Sequence, residues 1–247
     1  MNVKTTYTFI HEIGQRANQE DSVYPDSGVA SVPELYLVCD GMGGHEGGEI
    51  ASAAVCRGIS SYIASNQSPV FTTDSFREAL SAGYDLLDSV DNGADQKMGT
   101  TLTFARFHQG GCLVAHIGDS KIYHVRPSQR RILYVSRDHS LVNDLILLGE
   151  LTPEEAKSYP GKNVITRAMM PNTERRDKAE IREISDVLPG DYFFLCSDGI
   201  MENHSDQDIL DLCCLGVSDL EKMEALRDHT SSNKDNHTAM LIKVLSI

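Results

Sequence analysis

Hydrophobic and polar positions follow patterns along the chain that predict a mixture of strands and helices. Residues 5–11 and 100–107 alternate with a period of two, and residues 34–39 form a short apolar run, as β-strands do. Residues 49–66 and 74–90 instead repeat their apolar side chains at helical spacing. The pattern therefore predicts a helical pair inserted among strands.

The helical pair is expected to cover one face of a sheet rather than to bind a partner. The first helix should place Ile50, Ala54, Ile59 and Ile63 near one face. The second should begin at Asp74 as its capping residue. An apolar stripe of this kind is normally buried against a neighbouring layer.

Short strands and short helices fill the second half of the chain. Helical signals lie at residues 141–148 and after Thr152 and Ser218, each of which opens a capping box. Strand signals lie at residues 112–117, 121–125, 132–135, 179–184, 191–196 and 238–244. Because the alternation of a doubly wound parallel sheet is absent, we predict an α+β fold of packed antiparallel sheets flanked by helices.

The acidic composition limits the possible partners. The 247 residues include 22 Lys and Arg against 36 Asp and Glu, a formal net charge of −14. A field of that sign repels polyanions, so neither nucleic acid nor an anionic membrane surface is expected as a partner. No apolar run reaches the roughly 18 residues of a membrane-spanning helix, and the N-terminus lacks a signal-peptide profile. The six cysteines form no CxxC pair, which predicts buried thiols and a cytoplasmic location.

Acidic residues recur where apolar strands end. Asp40, Asp119 and Asp198 each follow an apolar run, and Asp235 with Asn236 stands just before the last strand. If these carboxylates converge at one end of a sandwich, their repulsion forces some to protonate unless a cation neutralises them. An all-oxygen set of ligands favours Mg²⁺ or Mn²⁺ over zinc. A lone Asp-Gly pair, in contrast, is usually only a turn.

Two further stretches narrow this interpretation. Residues 41–48 are rich in Gly but lack both the Lys-Ser/Thr of a P-loop and the spacing of GxGxxG. Nucleotide binding is therefore disfavoured, and close approach of the backbone to a ligand is favoured. Upstream, Arg16 precedes Glu20 and Asp21. Its planar guanidinium suits phosphate oxygens, although the same residues could form an ordinary surface ion pair.

In their order along the chain, these motifs resemble those of the metal-dependent protein phosphatases of the PPM or PP2C type, in their compact bacterial form. Each motif alone is weak, but the collinear set spans nearly the whole chain. The matching motifs are Arg16 with Glu20-Asp21, Asp40-Gly41-Met42-Gly43-Gly44, Gly99-Thr100-Thr101, Gly118-Asp119-Ser120, Asp138-His139-Ser140, Ile165-Thr166-Arg167-Ala168, Ser197-Asp198-Gly199 and Asp235-Asn236.

The resemblance implies a four-layer αββα sandwich with two Mn²⁺ or Mg²⁺ ions at one end. The implied ligands are Asp198 and Asp235 for one ion, the Gly41 carbonyl with Glu20 and Asp21 for the other, and Asp40 as a bridge between both. Asp119, with Asp198, resembles the place of a third, weaker ion. Residues 139–166 resemble a mobile flap, within a single catalytic domain over residues 5–247.

The resemblance also implies an activity, the hydrolysis of phosphoserine and phosphothreonine in proteins. A water or hydroxide that bridges the metals would attack phosphorus in line. The expected catalytic residues are Arg16, Asp40 and Asp198, of which Arg16 also binds the substrate and neutralises charge on the phosphoryl group. The expected substrates are phosphorylated proteins, and the expected partner is an opposing Ser/Thr kinase. The protein is expected to be a monomer.

Some positions depart from the family pattern without removing an implied ligand. Met42 stands where many eukaryotic members carry a His proposed as general acid, and Met cannot donate a proton. His45 is interpreted as a surface residue. Lys121 replaces a frequent Arg, and Met169-Met170-Pro171 stands where a Gly is usual.

Two other functions are compatible with the same motifs. A phosphohydrolase of small phosphoesters would share the site, because a fold does not set its substrate. A catalytically dead phospho-binding scaffold would lack metal ligands, whereas Asp40, Asp198 and Asp235 are all present. The basic cluster of Arg175-Arg176 with Lys178 could attract a phosphopeptide or form a solvated turn.

Overall fold

A computed structural model describes residues 3–26, 32–43, 47–68, 70–91, 93, 98–174, 176 and 178–247. Gly44, His45 and Arg175 therefore lie outside the described residues. The strands are β1 (Lys4–Glu12), β2 (Ser22–Tyr24), β3 (Leu35–Cys39), β4 (Gly41–Gly43), β5 (Met98–Thr100), β6 (Leu102–His108), β7 (Gly111–Ile117), β8 (Lys121–Arg126), β9 (Arg131–Val135), β10 (Glu180–Ile184), β11 (Tyr192–Cys196) and β12 (His237–Ser246).

The strands form two five-stranded sheets and a small ribbon. The first sheet has the order β1-β12-β11-β8-β9, the second has the order β10-β7-β6-β3-β2, and β4 pairs with β5. Neighbouring strands run antiparallel in each of them. Packed antiparallel sheets are the arrangement that the many short strands of the sequence predict.

Helices cover the outer faces of both sheets. The helices are α1 (Gly47–Ser65), α2 (Thr73–Val90), α3 (Leu141–Leu147), α4 (Pro153–Ala156), α5 (Asp206–Cys214) and α6 (Asp219–Thr230), with 3₁₀ turns at Pro127–Gln129 and Asp198–Glu202. The capping boxes expected at Thr152 and Ser218 are both formed. Among the described helices, none combines the length and the apolar character that crossing a membrane requires.

Three hydrophobic clusters join the four layers. The central cluster lies between the sheets, and an outer cluster packs each sheet against its helices. Phe193 belongs to the central cluster and Phe194 to an outer one, because successive strand residues point to opposite faces. Strands buried on both faces read as unbroken apolar runs, which is why β3 and β11 show no alternation.

Two local details differ from the sequence predictions. Ile50 is 42% exposed, because the buried stripe of α1 follows Ala51, Val55 and Ile59, about 100° around the helix from Ile50. The N-cap of α2 is Thr72 rather than Asp74, since the Thr72 hydroxyl accepts the Ser75 N–H at 3.2 Å. Asp74 instead lies in the first turn, where the helix dipole favours a negative charge.

The register of the strands brings their acidic ends together. The start of β6 pairs with the ends of β3 and β7. In the other sheet, the end of β11 pairs with the starts of β8 and β12, and the end of β1 pairs with the start of β12. Because the short β7–β8 turn joins the two sheets, all of these ends lie at the same end of the sandwich.

The packing predicts a large loss of stability when Phe104 is truncated. Phe104 is fully buried, and its ring centroid lies 4.7 Å from that of Phe76 and 5.8 Å from that of Phe71. Phe104→Ala should lower the free energy of unfolding in urea by about 3–5 kcal/mol, since it leaves a cavity. Leu245→Ala, at a 52% exposed position, should change it by less than about 0.5 kcal/mol. Equal losses in the two variants would contradict the described core.

Candidate metal centre

Asp40 is held at the end of β3 by two neighbouring threonines. The Asp40 N–H donates to the Thr101 hydroxyl at 3.0 Å, and the Asp40 carbonyl accepts the Thr101 N–H at 2.8 Å and the Thr100 hydroxyl at 2.9 Å. The Thr101 hydroxyl in turn contacts the Ser120 hydroxyl at 2.7 Å, beside Asp119. The Gly99-Thr100-Thr101 motif therefore fixes the backbone of Asp40 and connects it to the turn that carries Asp119.

Asn236 organises the loop that carries Arg16, Glu20 and Asp21. Its amide nitrogen donates to the carbonyls of Ile13 at 2.8 Å and Asn18 at 3.0 Å. Its carbonyl oxygen accepts the Glu20 N–H at 2.8 Å. One buried amide thus shapes this loop.

Glu202 fixes the position of Asp235. Its two carboxylate oxygens accept the N–H groups of Asp235 and Lys234, each at 3.0 Å. The Asp235 side chain then accepts the guanidinium of Arg16 at 2.7 Å, and the Arg16 side chain is 56% exposed. Sequence reasoning singled out Arg16 and Asp235 but missed Glu202, because a glutamate in a short turn carries no local signal of this role.

Gly41 and Gly48 allow tight packing around Glu20. The Gly41 N–H donates to the Glu20 carbonyl at 3.1 Å, and a Cβ at Gly41 would collide with that carbonyl oxygen. A Cβ at Gly48 would lie 2.8 Å from the Glu20 carboxylate. The prediction that this backbone approaches a ligand is untested; the close approach seen is to Glu20, itself a predicted ligand.

The converging carboxylates disfavour their own ionisation. Burial, followed by the charges of Asp21, Asp198 and Asp119, raises the pKa of Asp40 well above its usual range. Burial also raises the pKa of Asp21 and of Asp119 to about 7. Asp198 is reached by solvent, yet desolvation by the surrounding protein, and then the charge of Asp235, raise its pKa too. Burial likewise raises the pKa of Glu20, while Arg16 opposes the shift.

The donor set fits a hard divalent cation. Asp21 is 3% exposed, and one of its carboxylate oxygens accepts the Ser197 hydroxyl at 2.8 Å. Its other oxygen, and one oxygen of Asp119, are buried without a hydrogen-bond partner among the described residues. Unpaired carboxylate oxygens next to other carboxylates are the ligands that Mn²⁺ and Mg²⁺ prefer.

Met42 and the methionines after Arg167 lie around Gly99. Met42 pairs with Gly99 in the small ribbon, and Met169 exchanges two backbone hydrogen bonds with Thr100, at 3.0 and 2.9 Å. The Met170 sulfur lies where a Cβ of Gly99 would stand. At Met42 a thioether stands where the resemblance implies a His in many eukaryotic members, and a thioether has no proton to transfer.

A second cluster, His116, His139 and Glu180, brings its ligating atoms within 4.8 Å but does not suit a metal. The two rings stack with centroids 4.6 Å apart and planes 10° apart, so their in-plane lone pairs do not converge. His139 Nδ1 accepts the Gly118 N–H at 3.1 Å, so the lone pair of this nitrogen is already used. The stack instead joins the start of residues 139–166 to the turn before Asp119.

We expect Mn²⁺ to stabilise the protein against heat, because a bound cation relieves the repulsion among the carboxylates. At a concentration 100 times the dissociation constant, the gain is about 2.7 kcal/mol. Asp40→Asn should lose most of the shift in melting temperature, whereas Asp74→Asn, with a side chain 83% exposed, should keep it. A melting temperature indifferent to millimolar Mn²⁺ would count against the site.

The His139 ring predicts a loss of stability in mild acid. Burial, then the charges of His116, Arg167 and Arg137, lower the pKa of His139 to about 3. An unfolded His titrates near pH 6.5, so the unfolded chain binds more protons between pH 6.5 and 3, and stability is lost as the pH falls. His139→Asn keeps an acceptor for Gly118 but does not titrate. In calorimetry with chelator, its melting temperature should fall less than that of the wild type between pH 7 and 4.5; parallel curves would refute this account.

Known proteins have a similar sequence and a similar fold. The protein phosphatase 2C family profile matches residues 11–242. Protein phosphatase PhpP of Streptococcus pneumoniae is 31% identical over 248 residues, 96% of each chain. The serine/threonine phosphatase of S. agalactiae superposes with a TM-score of 0.81 at 29% identity, over 97% of this chain and 99% of that one.

A further solved structure contains metal. The catalytic domain of the serine/threonine phosphatase PstP, in complex with two manganese ions, superposes with a TM-score of 0.79 at 30% identity, over 99% of this chain and 100% of that one. Together with the described sheets and helices, these superpositions confirm the predicted α+β sandwich. Because the profile spans most of the sequence and the superpositions span nearly all of it, the chain belongs to the protein phosphatase 2C family.

Proposed function

We propose that the chain is a metal-dependent phosphoric monoester hydrolase that removes phosphate from phosphoserine and phosphothreonine in proteins. The main support is the convergence of Asp40, Asp198 and Asp235 at one end of the sandwich, with the guanidinium of Arg16 beside them. A dead phospho-binding scaffold is disfavoured, since it would have no need for crowded carboxylates that destabilise one another.

The proposed metal ligands come from both sheets and from the loop after β1. Two Mn²⁺ or Mg²⁺ ions would be held by Asp40, Asp198 and Asp235 together with Glu20, Asp21 and the Gly41 carbonyl, and a third, weaker ion by Asp119. When bound, such ions polarise the phosphoryl oxygens and supply a nucleophile from water at neutral pH. The two manganese ions in the PstP complex support this number of ions.

Arg16 is the proposed contact for the substrate phosphate. Its side chain is 56% exposed, and the hydrogen bond from Nη2 to Asp235 fixes one edge of the guanidinium at the rim of the site. The remaining N–H donors are available to phosphate oxygens, with which a planar guanidinium forms charge-assisted pairs. Arg16 would therefore orient the phosphoryl group and offset the charge that develops on it.

The cysteines next to the candidate ligands are not suited to attack the phosphorus of a substrate. Cys39 precedes Asp40 and Cys196 lies two residues before Asp198, and both are fully buried. Burial raises the pKa of Cys196 to about 12 and that of Cys39 well above its usual range, so both stay protonated near neutral pH. Direct attack on phosphorus by water, without a phosphorylated enzyme, agrees with this.

The proposal extends to substrate source, assembly and location. The substrates would be proteins phosphorylated by an opposing Ser/Thr kinase, and the enzyme would act as a monomer over residues 5–247, with residues 139–166 as its flap. Arg176 does not serve as a phosphopeptide contact, because its guanidinium is paired with Asp85 and Asp88, each at 2.7 Å. A cytoplasmic location agrees with six free cysteines.

Hydrolysis of a phosphothreonine peptide should be lost in Asp40→Asn and in Asp198→Asn. The expected decrease in kcat/KM is at least about 1,000-fold, because several kcal/mol of transition-state stabilisation depend on the metals. Asp74→Asn serves as the control and should keep full activity. Circular dichroism checks that the variants fold.

A panel of substrates separates the proposed function from its alternative. Phosphoserine, phosphothreonine and phosphotyrosine peptides are compared with small phosphoesters in Mn²⁺. We expect phosphothreonine and phosphoserine peptides to give the highest kcat/KM. Turnover of small phosphoesters that exceeds turnover of every peptide would overturn the protein substrate.

A further inference from the structure

Two thiols face each other directly behind the candidate metal centre. Cys39 is the last residue of β3, and Cys56 lies in the middle of α1, with their Sγ atoms 3.4 Å apart. Cys39 is fully buried, and Cys56 is 7% exposed. Neither thiol has a part in the proposed hydrolysis.

Only one of the two thiols is within reach of solvent. Cys56 lines a cavity of about 410 Å³ that opens between α1 and β2, whose wall also includes Ser22, Tyr24 and Arg57. Cys39 does not line this cavity. A small uncharged oxidant can therefore reach Cys56 first, with Cys39 in van der Waals contact behind it.

We propose that Cys39 and Cys56 are a peroxide-sensitive thiol pair, whose oxidation to a disulfide lowers the activity of the adjacent metal centre. The first part of this proposal, formation of the disulfide, rests on the positions of the two sulfurs and does not depend on the proposed function. The effect on hydrolysis rests on the proposed function.

The oxidation needs hydrogen peroxide and no other reactant. The Cys56 thiolate attacks one peroxide oxygen, the O–O bond breaks, and hydroxide leaves and takes up the thiol proton as water. The Cys39 sulfur then attacks the sulfur of the Cys56 sulfenic acid. The S–S bond forms, the S–O bond breaks, and the hydroxyl leaves as water with the Cys39 proton. Two thiols lose two electrons, and one peroxide becomes two waters.

Closing the bond would disturb both sides of the metal centre. A disulfide holds its sulfurs about 2.05 Å apart, against the present 3.4 Å, so both side chains must move, and the bond then ties α1 to the end of β3. On the strand side, Asp40 directly follows Cys39. On the helix side, one turn before Cys56, the Ser52 hydroxyl donates to the Glu20 carbonyl at 2.6 Å.

Even a small displacement of the residues next to this bond matters for catalysis. A misplacement of about 1 Å in an active site can lower the rate about 100-fold. We therefore expect oxidation to lower kcat/KM about 100-fold and to weaken the binding of Mn²⁺. Because both effects come from one bond, a thiol reductant should reverse them together.

The test treats the full chain with hydrogen peroxide, removes the excess with catalase and then adds Mn²⁺. Intact mass should show the loss of two hydrogen atoms, and peptide mapping should join Cys39 to Cys56. Calorimetry measures the affinity for Mn²⁺, and hydrolysis of a phosphothreonine peptide measures kcat/KM. Both should recover with dithiothreitol.

Matched variants assign the effect to this pair. Cys56→Ser should keep its activity and its Mn²⁺ affinity after peroxide, and Cys39→Ser serves the same purpose if Cys56→Ser does not fold. Cys214→Ser, at a half-buried cysteine outside the pair, should respond to peroxide as the wild type does.

Two results would overturn the proposal: no Cys39–Cys56 link in the native protein, or a link that leaves Mn²⁺ affinity unchanged. If the unoxidised enzyme fails to hydrolyse any phosphopeptide, the proposed function fails instead. In that case the link and the Mn²⁺ affinity still decide whether the thiol pair acts on the metal centre.

Discussion

Repulsion among carboxylates that share one end of the sandwich is the constraint on which this structure depends. Burial raises the pKa of Asp40, Asp21 and Asp119 above their usual range, and neighbouring negative charges add to the effect. A fold that gathers such groups without a cation gives up stability at that point. The rest of the molecule must therefore hold the backbone firmly enough that the side chains cannot move apart.

Charged side chains are paired at one end of these strands and left open to a ligand at the other. At the end away from the candidate metal centre, Arg126 donates to both carboxylate oxygens of Asp191 at 2.9 Å, and His124 contacts the same carboxylate at 2.9 Å. The buried carboxylate of Asp191 is therefore fully paired. At the near end, the side-chain oxygens of Asn236, Glu202 and Thr101 accept backbone N–H groups, so carboxylate oxygens of the site stay available to a ligand. The fold thus pairs the Asp191 carboxylate at one end and, within the described part of the chain, leaves oxygens of Asp21 and Asp119 without a partner at the other.

Much of the fold is readable from the sequence, because strands buried on both faces give apolar runs such as β3 and β11. The strands β2, β4 and β5 have three residues each, too few for a period to show, and were not predicted. The error at Ile50 has a similar origin, since a shift of one position moves the helical stripe by 100°. Glu202 and Asn236 could not be assigned their roles, because each acts on backbone groups that local patterns do not connect to it. The carboxylates themselves were found through their position at strand ends and through the family resemblance.

Main-chain hydrogen bonds join the two ends of residues 139–166. Leu141 N–H donates to the Val164 carbonyl at 2.9 Å, and Thr166 N–H donates to the His139 carbonyl at 2.8 Å. Bonds of this kind do not depend on the side chains between them. The two ends of the segment are therefore held together whatever side chains lie between them. Mutations inside the segment can change its surface and leave the catalytic residues in place. Diversification of a phosphatase toward new proteins would then begin in this insert rather than in the sheets.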